Sequence, residues 1–89
     1  MGMGDKIEQL FLSALELTFL SSYQAPKEKI SSLTEIISKI DSLKFFIQIA
    51  WERKLVTTDK YSELSFELEE IGRMLGGWRK GLLNKTPAK

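Results

Sequence analysis

Apolar residues recur along this chain at three- and four-residue steps in three separate stretches, the period of helices that bury one side. The first stretch runs from Asp5 to about Tyr23, and Asp5 and Glu8 stand at its start with the spacing of a capping box. On a helical wheel Ile7, Leu10, Phe11, Leu12, Ala14, Leu15, Leu17, Phe19 and Tyr23 cover well over half the circumference, leaving Lys6, Gln9, Ser13 and Glu16 as a narrow polar strip. That is more apolar surface than one neighbouring hairpin covers. A helix so patterned is either a core element throughout or gives one flank to a subunit interface.

Pro26, tolerated at a first helical position and disfavoured inside a helix, predicts a turn over Tyr23 to Lys27 and a restart. The second helix should reach about Lys54, with Leu55 and Val56 closing it. Its seam is Ile30, Leu33, Ile37, Ile40, Lys44, Ile47 and Trp51, widened by Ile36, Leu43, Phe46 and Ala50. Lys44 is expected to snorkel, packing its methylenes and sending its ammonium to Asp41 or solvent; the other reading is a register-setting or ligand-facing role.

Thr57 is a good N-cap for a third helix, and Asp59 falls in its first turn, where the helix dipole favours an acid. Tyr61, Leu64, Leu68, Ile71, Leu75, Trp78 and Leu82 then keep the step without exception. A helix from Thr58 to about Leu83 would be on the order of 39 Å long. The separators are short and no segment has the period of a strand. The expected fold is therefore all-α, an up-down antiparallel bundle of three helices with coiled-coil-like seams. Residues 1–4 are expected as a disordered leader, 5–83 as the helical bundle domain and 84–89 as a disordered basic tail.

Gly72, Gly76, Gly77 and Gly81 lie inside the third helical pattern, each opposing it by about 1 kcal/mol relative to alanine. The seam keeps its phase across the Gly76–Gly77 pair, which predicts a continuous helix whose small residues let a neighbour pack closely at Gly72, Gly76, Gly77 and Trp78. The competing reading ends the helix at a C-cap near Gly76 or Gly77. Trp78 falls on the apolar seam and is expected in the core, with a stacking or anchoring role as the alternative. Gly-Gly-Trp-Arg-Lys-Gly lacks Walker spacing and no strand precedes it, so it is not a phosphate loop.

Composition narrows the chemistry. The 89 residues contain no cysteine and no histidine, which removes disulfides, Cys or His metal sites and Cys-His or Ser-His nucleophiles. Carboxylates such as Glu67 and Glu70 have no evident partner with which to build an active site, so no enzyme, cofactor, metal or small-molecule substrate is expected. At 43% hydrophobic and 28% charged the chain is globular in composition, with no apolar run long enough for a membrane span and no signal-peptide core; a soluble, cytoplasmic protein is expected. A domain of this size sits near the lower limit of independent folding, which favours a partner chain.

A net charge of +1 argues against bulk coating of nucleic acid, yet the charge is sorted. From Asp59 to Glu70 one lysine faces five acids, whereas Ile71 to Lys89 holds Arg73, Arg79, Lys80, Lys85 and Lys89 with no acid. The helix macrodipole rewards acids before bases, but its effect reaches only the terminal turns. The functional reading is a basic end, Arg73, Arg79, Lys80 and Lys85, that meets phosphate or an acidic partner.

The run Glu69-Glu70-Ile71-Gly72-Arg73-Met74-Leu75-Gly76-Gly77-Trp78, preceded by Lys60-Tyr61-Ser62-Glu63-Leu64 and by Ile40-Asp41-Ser42-Leu43-Lys44-Phe45-Phe46, resembles the Avd-like four-helix-bundle family. These are accessory variability determinants of diversity-generating retroelements, close in fold to proteins encoded within ribosomal RNA intervening sequences. The likeness spans Gly4 to about Leu83, and Ile-Gly-Arg-Met-Leu-Gly-Gly-Trp is its most specific part. Members usually carry a further helix before the one beginning here at Asp5, so this chain reads as a three-helix version. The resemblance implies a homo-oligomer, a ring-like pentamer, that binds the retroelement reverse transcriptase and its template RNA and has no catalytic site of its own. The alternative it leaves is a purely structural oligomeric bundle of the intervening-sequence type, with no nucleic-acid role.

Overall fold

The computed structural model of the chain describes residues 2–85, and they form three helices: α1 (Met3–Ser21), α2 (Pro26–Glu52) and α3 (Thr58–Lys85). The bundle is elongated, 48 × 24 × 17 Å. Among the described residues no helix is long and apolar enough to cross a membrane.

Local chemistry sets the helix ends. α1 starts earlier than the Asp5–Glu8 pair suggests, because Asp5 is the residue that reaches back: the Gly2 N–H donates to its carboxylate at 3.3 Å. Met3 and Gly4, expected in a leader, are thus the first residues of the helix. α1 also stops at Ser21, short of Tyr23. Pro26 opens α2 at its first position as expected, and the Ala25 N–H donates to Glu28 at 3.3 Å. The Thr57 hydroxyl accepts from the Lys60 N–H at 3.1 Å, the cap predicted for α3.

The end of α2 carries the chain's one left-handed residue outside glycine, Lys54 at φ 62°, among the described residues. The Lys54 N–H donates to the Trp51 carbonyl at 2.9 Å and the Leu55 N–H to that of Ala50 at 2.8 Å, which is the pairing of a Schellman motif. The helix therefore ends at Glu52 rather than at Lys54. Trp51 closes this corner, stacking on Tyr61 at 4.7 Å between ring centroids and donating from Nε1 to the Thr58 hydroxyl at 3.0 Å.

α2 is the centre of the molecule. Leu33, Ile36, Ile40, Leu43, Ile47 and Ala50 are buried along it, facing Ala14 of α1 on one side and Leu68 and Leu75 of α3 on the other. Two serines are buried where α1 turns into α2: Ser21 donates to the Thr18 carbonyl at 2.9 Å and Ser32 to the Gln24 side-chain oxygen at 2.6 Å, so neither hydroxyl is left without a partner. Lys44 behaves as the seam predicts, with its ammonium 4.0 Å from Asp41.

α1 and α3 both pack closely on α2 and stand farther from each other: among the described residues no Cα of α1 comes within 8 Å of one in α3. Between them runs an apolar furrow floored by α2. It holds a cavity of about 320 Å³ beside Ile7, Phe11, Leu43, Ile47, Leu64 and Ile71, and one of about 230 Å³ beside Phe11, Ala14, Leu15, Ile36, Ile40 and Leu75. The wide apolar arc of α1 is only partly used within the chain, and Leu12, Leu15 and Phe19 stay more than half exposed.

Candidate nucleic-acid interface

The antiparallel pairing of α2 and α3 brings the start of one against the end of the other. Arg79 donates from Nε to the Thr34 hydroxyl at 2.8 Å across 45 positions of sequence, fixing the two helices at this end. One turn nearer the start of α2, the Lys29 ammonium lies 5.8 Å from the centre of the Trp78 ring. Lys27, Lys80 and Lys85 are exposed around the same end. Lys27 and Lys29 join the cluster through the fold. Their only sequence signal was that the first turn after Pro26 must lie beside the end of α3 if both connections are short.

The expected contact residues are not equivalent. Arg73 is bonded to Glu70 at 2.7 Å, one turn back on its own helix, so its charge is already answered. The other ion pairs among the described residues are Lys44–Asp41 and Lys60–Glu63. Lys27, Lys29, Arg79, Lys80 and Lys85 therefore have no carboxylate of the described residues within 4.0 Å. The macrodipole accounts for Lys85, which sits in the last turn of α3, but Arg79 and Lys80 lie farther back than its reach. Lys89 lies outside the described residues.

The helix-packing residues fall differently from the expectation. α3 is continuous through Gly76 and Gly77, and no glycine takes a positive φ, so there is no C-cap at that pair. A Cβ added at Gly76, Gly77 or Gly81 would meet nothing within 4 Å, and one at Gly72 would meet only the Lys44 ammonium, at 3.8 Å. Among the described residues no neighbouring backbone presses on these glycines. The helix is held instead by Leu68 and Leu75, which are buried on α2 with Leu64, Ile71 and Leu82 packed around them. Trp78, on the same seam, is 39% exposed rather than part of the core, because the residue that α2 sets against it is a lysine.

This end of the bundle thus carries five cations that pair with no acid among the described residues, one of them, Lys29, beside a partly exposed indole, a combination suited to phosphate contact. No curated protein and no solved structure matches the chain at a significant level. A family profile described as bAvd-like matches residues 2–82, which takes in all of α1 and α2 and α3 as far as Leu82. The chain belongs to the bAvd-like family.

Proposed function

We propose that this protein is a non-enzymatic, self-associating accessory factor of a retroelement reverse transcriptase, and that its basic end binds template RNA. Membership of the bAvd-like family supports the general role, and the group Lys27, Lys29, Arg79, Lys80 and Lys85 carries the RNA reading. Cations without acids beside them in a fold of net charge +1 support a local phosphate-binding patch rather than a uniformly basic surface. The half-used arc of α1, with Leu12, Leu15 and Phe19 in solvent, supports self-association, the pentamer of the family resemblance being the stoichiometry to test.

The deciding experiment is fluorescence anisotropy of a labelled RNA corresponding to the template, titrated at several salt concentrations. Affinity should fall steeply as salt rises and fall again when Arg79, Lys80 and Lys85 are replaced together by alanine. Binding that ignores both salt and the substitutions removes the RNA role. Co-purification with the reverse transcriptase tests the other partner, and light scattering coupled to size exclusion tests the assembly. A protein that self-associates through α1 but binds neither RNA nor enzyme would favour the purely structural bundle.

A further inference from the structure

We infer that Trp78 is a stacking platform for an unpaired base, with Lys29 and Lys85 as flanking phosphate contacts, so that the basic end takes single-stranded nucleic acid. This rests on the RNA reading above and narrows it to one strand form.

A tryptophan on an apolar seam usually gains most by burial, and the preceding seam residues Leu68 and Leu75 are buried. Trp78 keeps 39% of its surface in solvent because the helix facing it supplies the Lys29 ammonium, 5.8 Å from the ring centre, in place of an aliphatic side chain. An indole with 39% of its surface in solvent has bare ring to offer a second planar group, and the cation beside it draws in a ligand that brings negative charge. Lys85 follows Trp78 by seven positions on the same side of α3, on the order of 10 Å along the axis, within the span of a flexible lysine. Among the described residues neither lysine has a carboxylate within 4.0 Å.

That combination selects among nucleic acids. In a duplex each base is covered above and below by its neighbours, so an indole on a helix surface has no ring to meet; an unpaired base has a free face. An acidic protein segment would answer the cations but would leave the indole without a flat partner.

The test uses the second indole as an internal control. Trp51 sits at the opposite end of the bundle beside Thr58, about 30 Å from Trp78 along α3. In a Trp51→Phe variant all indole emission comes from Trp78. Titration with an unstructured RNA oligonucleotide should quench that emission, whereas the same sequence in duplex form, or polyglutamate, should not. Trp78→Leu should weaken single-strand binding by about 5- to 150-fold, and Trp78→Phe, which keeps a ring, should retain most of it. Equal quenching by duplex or polyglutamate overturns the inference, as does undiminished binding by a folded Trp78→Leu protein. If that variant fails to fold, the quenching contrast on intact Trp78 still decides. A protein that binds RNA through Lys80 and Lys85 yet is indifferent to Trp78 sinks this inference alone; one that binds no RNA sinks it together with the function it rests on.

Discussion

Arg79 and Thr34 are joined by a 2.8 Å hydrogen bond from the guanidinium Nε to the hydroxyl, the one side-chain hydrogen bond among the described residues that ties α2 to the basic half of α3. The same hydroxyl donates to the Ile30 carbonyl at 3.0 Å, so Thr34 is oriented by its own helix before it receives the arginine. Thr34→Val keeps the shape and removes both bonds. It should cost about 1 kcal/mol, the ordinary net worth of such a bond at an exposed site, read as a lower urea midpoint with unchanged slope. An unshifted midpoint would show that the two helices are held there by packing alone.

Glycine and lysine are misplaced relative to what the backbone favours. Lys54 takes the left-handed position of a helix end where glycine carries no penalty, so Lys54→Gly should raise stability by about 1 kcal/mol. Gly76 and Gly77 are helical with open space around them, so alanine at either should also stabilise, by about 1 kcal/mol each. Thermal unfolding of the single variants checks both statements. If Gly76→Ala raises the midpoint while lowering the assembled fraction, the ridge belongs to a contact between copies.

The cations of the basic end should separate by whether they are already partnered. Lys29→Ala and Lys85→Ala should each reduce the slope of log affinity for single-stranded RNA against log salt by about 0.7. Arg73→Ala should leave that slope nearly unchanged, since Glu70 holds the guanidinium at 2.7 Å. An Arg73 effect as large as that of Lys85 would mean that the ion pair opens on binding.

Interior and outer apolar residues should also divide cleanly. Leu33 and Leu43 are buried on α2, and alanine at either should cost about 2–5 kcal/mol of stability. Phe19→Ser lies on the exposed arc of α1 and should leave the helical circular-dichroism signal intact while lowering the assembled mass measured by light scattering. Loss of helicity in Phe19→Ser would place that ring in the protomer's own core.

Periodicity was enough to find the three helices, the buried face of α2 and the Thr57 cap, since each depends on residues within a few turns of one another. Lys44 was legible for the same reason: Asp41 is one turn away. What could not be read depends on distant partners. Trp78 is left in solvent by Lys29, forty-nine positions earlier, and nothing local to the indole announces it. Small residues at helical spacing predict a tight neighbour, but which side of α3 meets α2 is decided by the leucine seam. The corner at Lys54 lacked its usual glycine or asparagine, so the helix end there gave no warning.

The separation of α1 from α3 bears on how the molecule forms and comes apart. Among the described residues each outer helix makes its close backbone approach to α2, its neighbour in sequence, and low contact order of this kind goes with rapid folding. It also means that either outer helix can detach while the remaining hairpin stays zipped. Amide protons should exchange slowest along α2, which alone is clasped from both flanks.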